Sequence, residues 1–124
     1  MNITITSVIT DDYLLINSVG DIESKDDLLK HADLIYQEIS KHDKQKILID
    51  NIETRFPLDI FSYYEQVQYF SKTFPPWIRL LKIAIVVSTQ YAEIGKFWET
   101  LSVNRGFQYF SFTSLKEARF WLIK

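Results

Sequence analysis

The sequence predicts an α/β fold: one layered domain over residues 1–124, with a mixed five-stranded sheet and four helices in the order β-β-α-β-α-β-α-β-α. Three observations carry this expectation. Two short runs, 46–50 (KILID) and 82–88 (KIAIVVS), are apolar and rich in β-branched residues, the pattern of strands covered on both faces. Amphipathic stretches of helical period alternate with them, which calls for parallel crossovers. At the amino terminus two strand-like runs stand too close together for a crossover and so pair as an antiparallel hairpin.

Taken in order, Ile3, Ile5, Val8 and Ile9 alternate loosely with Thr and Ser, as in a half-buried strand. Asp11 and Asp12 make a turn, 13–19 (YLLINSV) is the second strand, and Gly20 lets the backbone turn after it. Ser24-Lys25-Asp26-Asp27 is a capping box with Asp in place of Glu. It opens a helix of about 17 residues whose inner stripe is Leu28, Leu29, Ala32, Ile35, Tyr36 and Ile39. Lys41, His42 and Lys44 place cations at its end. After the KILID strand, Pro57 marks a helix start, 58–74 is the second helix, and Pro75-Pro76 stops it. Ser88 or Thr89 caps a third helix with the stripe Tyr91, Ile94, Phe97, Trp98 and Leu101, and Gly106 suits its carboxyl end. The fifth strand is 107–112, and Ser114-Leu115-Lys116-Glu117 caps a last helix burying Ala118, Trp121 and Leu122.

Composition bounds the function. The chain has 14 Lys+Arg against 16 Asp+Glu, a formal charge of −2, so it lacks the basic footprint that nucleic acid requires. With no Cys there is no disulfide, thiolate nucleophile or Cys-bound zinc, in keeping with a cytoplasmic setting. Met1-Asn2-Ile3-Thr4 shows no basic and apolar leader pattern, and no apolar run approaches the ~20 residues of a membrane span. Gly20, Gly95 and Gly106 are scattered, which argues against a glycine-built phosphate cradle, and no nucleophile-elbow, zinc-protease or dinucleotide motif occurs. No cofactor or metal is called for. His31 and His42 stand ~16 Å apart along one helix, too far to share an ion, and Asp27 and Glu38 pair with them on its polar face. Asp50, Glu53 and Asp59 are close in sequence but have no ligand spacing and read as solvated loop acids. The chain is therefore expected not to be an enzyme.

The element order, the two apolar strands and the stretch Phe110-Ser111-Phe112-Thr113-Ser114-Leu115-Lys116-Glu117-Ala118-Arg119-Phe120-Trp121-Leu122 resemble SpoIIAA-like (STAS/SEC14-type) small domains. The resemblance spans the chain and rests on packing motifs. It implies a layered β/α domain that acts by binding: anti-sigma antagonists in one branch, apolar-ligand or protein-contact modules in others. Signalling members similar to the sporulation anti-anti-sigma factor carry Asp-Ser-Ser-Gly at the start of the helix after the third strand, where the Ser is phosphorylated. Here the stretch reads Pro57-Leu58-Asp59-Ile60, followed by Phe61. No hydroxyl fills that slot, Thr54 lying upstream and Ser62 a turn later, so the partner-switching reading lacks its acceptor.

The segment 56–77 holds eight aromatics in 22 residues. On a helical wheel Ile60, Tyr63, Tyr64, Val67, Phe70 and Phe74 form an inner face, while Phe61 and Tyr69, with Leu58 near, stand outward among Ser62, Glu65, Gln66, Gln68 and Lys72. Wet rings of that size call for a cover. Three are open: the following Pro-Pro-Trp loop with Trp77, a protein partner or second copy in a homodimer, or an apolar, lipid-like small molecule lying between helix and sheet. In the last arrangement Phe61, Tyr64 and Trp77 line the pocket and Arg55 or Arg79 anchors an acidic head, although both arginines equally suit surface pairing with acids. Phe120 also points away from its helix's inner stripe. The expected function is a non-enzymatic binding module that contacts a second copy or a protein partner through the second helix and the Pro-Pro-Trp loop, with a carrier of an apolar, lipid-like ligand as the alternative.

Overall fold

The computed structural model describes residues 2–124. Strands β1 (Asn2–Ile9) and β2 (Leu14–Asp21) form the antiparallel hairpin, closed by a turn in which Thr10 N–H donates to the Tyr13 carbonyl at 2.9 Å. Then follow α1 (Lys25–Ser40), β3 (Lys46–Arg55), α2 (Ile60–Thr73), a 3-10 turn (Pro76–Leu80), β4 (Lys82–Val87), a second 3-10 turn (Thr89–Tyr91), α3 (Ala92–Val103), β5 (Gln108–Phe112) and α4 (Leu115–Ile123). The sheet order is β1-β2-β3-β4-β5, parallel from β2 onward.

That order stacks the helices. Each crossover steps one strand in the same direction, so with one handedness α1, α2 and α3 all land on one face. Their shared core joins Leu14, Ile16, Ile47, Ile49, Ile83 and Tyr109 of the sheet to Ile39, Val67 and Phe70 of the helices. The alternate residues Leu48, Ala84 and Val86 face the other way and bury under Ala118 and Leu122 of α4, beside Tyr13. Among the described helices only α4 covers that second face, and Val8 and Val19 of the hairpin remain exposed.

Both serine caps form: Ser24 Oγ accepts from Asp27 N–H and Ser114 Oγ from Glu117 N–H, each at 3.2 Å. Other expectations shift. α2 starts at Ile60 and not at Leu58 after Pro57, because Asp59 supplies the cap, its Oδ1 accepting from Phe61 N–H at 3.0 Å. α3 has no side-chain cap: Ser88 and Thr89 enter a 3-10 turn, and Ser88 Oγ is buried without a partner. Lys41, His42 and Lys44 lie beyond the end of α1 instead of in its last turn. β3 runs on to Arg55.

Gly20 does not turn the chain. It is a strand residue between Ile3 and Thr54 with φ +137°, and a Cβ there would lie 1.9 Å from the Asn2 carbonyl oxygen. Gly106 (φ +89°) follows α3 as expected, and a Cβ there would meet only the flexible Arg79 side chain at 3.7 Å. Gly20→Ala therefore meets rigid backbone as well as a strained conformation, and is expected to cost more than ~2 kcal/mol in urea unfolding, against ~1 kcal/mol for Gly106→Ala. Equal costs would contradict the close approach of β1 to Gly20.

Candidate functional site

Two places on α2 carry the candidate chemistry, one outside and one inside. Outside, Leu58 is 74% exposed, Ile60 48% and Phe61 72%. The Asp59 cap fixes where the helix begins, and from that start Phe61 turns outward. Pro57 is held at the rim because its carbonyl accepts from the buried Tyr63 hydroxyl.

The wheel expectation is off by part of a turn. Ile60 and Tyr64 face out, and Ser62 (6% exposed) and Gln66 (7%) take their places inside, next to Tyr63, Val67 and Phe70. Polar residues are normally outside, so apolarity alone gives this helix the wrong phase.

The remaining predicted positions separate. Tyr69 is half-buried, its ring edge-on to Phe74 and its hydroxyl donating to Asp33 Oδ1 on α1 at 2.7 Å, a bond that holds the phenol above its usual pKa. Trp77 is partly covered by Tyr36, with ring centroids 6.0 Å apart. Tyr64 accepts from Gln68 Nε2 at 2.6 Å and faces the Arg105 guanidinium at 5.6 Å. Arg55 reaches toward Asp21 at 3.8 Å on the surface. Arg79 instead bridges backbone carbonyls, donating to Arg105 O at 3.1 Å and Ser71 O at 3.2 Å while stacking on Phe107 at 4.3 Å. It fastens the end of α2 to the end of α3. None of Phe61, Tyr64, Trp77, Arg55 or Arg79 lines the internal cavity. The space between helix and sheet is therefore not bounded by those five, because the phase of α2 carries Phe61 and Tyr64 to its outer side.

The cavity, about 100 Å³, lies between the three helices and the sheet. Part of its wall is polar: His31 of α1, Asn51 of β3, Gln66 of α2 and Ser111 of β5. Asn51 pairs with Val87, the last residue of β4, and Ser111 is next to last in β5. This wall thus sits toward the carboxyl ends of the parallel strands, where open α/β sheets place their ligands. α3 comes close because Gly95 has no side chain; a Cβ would stand 2.2 Å from Ser111 Oγ. Asn51 Oδ1 and Gln66 Oε1 are buried without any hydrogen-bond partner, whereas Gln66 Nε2 donates to the Leu28 carbonyl at 3.5 Å. Each such orphan costs about 1–3 kcal/mol.

His31 is buried, not on the polar face, and its Nε2 is 2.9 Å from Ser18 Oγ. The strand register shifts between Asn17 and Val19, and Thr54 Oγ1 donates to the Ser18 carbonyl at 2.7 Å. A buried chain Thr54–Ser18–His31 results. Burial lowers the His31 pKa from 6.5 to about 4, so the imidazole is neutral at pH 7. Thr54 and Ser62, the hydroxyls flanking the start of α2, are both buried. Among the described residues no group of three or more His, Asp or Glu is placed to hold a metal ion, and no helix is long and apolar enough to cross a membrane.

The layered sheet, its hairpin and its four helices define a SpoIIAA-like fold. Two solved structures share it along nearly their whole length. One is an anti-sigma factor antagonist from Mycobacterium paratuberculosis, with a TM-score of 0.62 at 10% identity over 99% of this chain and 96% of that one. The other is an uncharacterized protein of the DUF3478 family with a SpoIIAA-like fold from Shewanella loihica PV-4, with a TM-score of 0.56 at 18% identity over 97% of this chain and 93% of that one. No family model and no curated protein matches the sequence.

The His31 geometry predicts a pH dependence. The unfolded state binds a proton below pH 6.5 and the folded state only below about 4, so stability falls as pH drops through that window. Wild type is expected to lose about 3 kcal/mol more than His31→Gln between pH 7 and pH 4 in urea unfolding. Parallel curves for the two proteins would contradict the burial of a neutral imidazole.

Proposed function

We propose that the chain is a binding module without catalytic activity, and that it contacts protein, a second copy or another chain, through the amino-terminal end of α2. The supporting observation is the exposed trio Leu58, Ile60 and Phe61, of which Leu58 and Phe61 are almost three-quarters exposed and Ile60 about half. Their backbone is fixed by the Asp59 cap and by the Tyr63–Pro57 hydrogen bond, so little ordering entropy is lost on docking. Tyr64, about two-fifths exposed, stands a turn further along α2 and belongs to the outer part of the contact, whereas Trp77 lies beyond the carboxyl end of α2 and outside it. Exposed aromatic residues on a rigid support are the common anchors of protein interfaces. The anti-sigma factor antagonist that shares the fold is named for an action on a protein, which agrees with this reading. Control by phosphorylation at the start of α2 is not part of it, since the nearby hydroxyls of Thr54 and Ser62 are buried.

Leu58→Asp with Phe61→Asp tests the surface. Both side chains are exposed, and a carboxylate near a helix amino terminus is favourable, so folding stability is expected to stay within about 0.5 kcal/mol. A photo-crosslinker placed at position 61 is expected to capture a second copy or another protein, while the same group at the exposed Phe120 captures none. The double variant is expected to weaken that contact by about thirtyfold, as loss of a hot spot does. Contact that survives both aspartates, or crosslinking equal at 61 and 120, would overturn the proposal.

A further inference from the structure

The cavity under α2 is a separate feature from the surface above it, and its chemistry selects a ligand. Among the described residues no Lys, Arg, Asp or Glu lines it, and its one imidazole is held neutral by burial, so nothing inside balances a charge. Rings form much of the wall, among them Phe56, Tyr63, Phe70, Tyr91, Trp98 and Tyr109. Its volume, about 100 Å³, is of the order of the ~150 Å³ engineered cavity that takes up benzene. A lipid tail is too large for that space and a single water too small to fill it.

The two orphaned atoms decide the polarity. Asn51 Oδ1 and Gln66 Oε1 are both carbonyl oxygens, and the donor of Gln66 is already directed to the Leu28 carbonyl. The missing partner is therefore a donor, an O–H or N–H. From the wall and the orphans together we infer that this cavity binds a small, neutral, single-ring molecule carrying one hydrogen-bond donor, which it presents to Asn51 or Gln66. The ring lies among the aromatic wall residues, and the donor supplies one of the two hydrogen bonds that the folded chain leaves unmade there. Asn51 and Gln66 set the specificity, and Gly95 keeps α3 close enough to close the site over Ser111.

Phenol and toluene, matched in size, and the charged benzoate, with benzamide as its neutral control of equal size, test this on the intact chain by NMR titration at millimolar concentration. In a wholly apolar cavity toluene binds better than phenol, because water holds toluene less strongly. Here phenol is expected to bind at least about threefold tighter than toluene, since it satisfies an orphan, and benzoate not to bind. Asn51→Leu with Gln66→Met removes both orphaned acceptors at nearly constant side-chain size, and is expected to return the preference to toluene. A crystal soaked with phenol is expected to show its hydroxyl on Asn51 or Gln66. Toluene binding as well as phenol, benzoate binding best, or a cavity that holds only water with all the probes present would overturn the inference. The wild-type comparison stands even where the variant fails to fold.

Discussion

Placing three helices on one face of a sequentially ordered sheet is the constraint from which the rest follows. The middle helix must pack against the sheet and both neighbouring helices, and α2 does so with Tyr63, Val67 and Phe70. Its phase is then set by these contacts and by the Asp59 cap, not by its total apolarity. Ser62 and Gln66 are carried inside and Ile60 and Phe61 outside. An inward Gln66 gives the cavity its unmet acceptor, and an outward Phe61 gives the surface its ring. Tyr63 touches both places, lining the cavity with its ring and holding the Pro57 carbonyl with its hydroxyl.

A second consequence is the buried polar layer at one end of the helix-covered face. Thr54, Ser18 and His31 bond to one another where the β2–β3 register shifts. The shift interrupts the ladder, and the Thr54 hydroxyl meets the carbonyl of Ser18. The layer is satisfied there, while Asn51 and Gln66 elsewhere on the cavity wall keep unmet acceptors. Half-satisfied buried polar groups are costly, and sites that keep them are where a ligand has something to add.

Much of the fold was legible in the residues. β-branched runs mark β3 and β4, the short gap marks the hairpin, and Ser24 and Ser114 mark two helix starts through bonds that form as expected. The candidate site was legible only in part. Phe61 is exposed, as a wheel predicts, because its position follows from the helix alone, while Leu58 is exposed in the segment before the Asp59 cap. Tyr69 departs because Asp33, which belongs to another helix, takes its hydroxyl. Gln66 and His31 depart because a wheel sorts by polarity, while burial here depends on a cavity and on a hydroxyl from a distant strand. Gly20 departs because a glycine admitting a neighbouring backbone looks, in sequence, like a glycine making a turn.

The central claim is that α2 has apolar rings outside and an amide within. Hydroxyl-radical footprinting of the dilute, isolated chain reads this directly. The account predicts that Phe61 is oxidised as readily as Phe120, while Tyr63 and Tyr109 stay protected. A Phe61 protected in that dilute sample, or a Tyr63 oxidised alongside it, would contradict the helix phase on which both proposed sites stand.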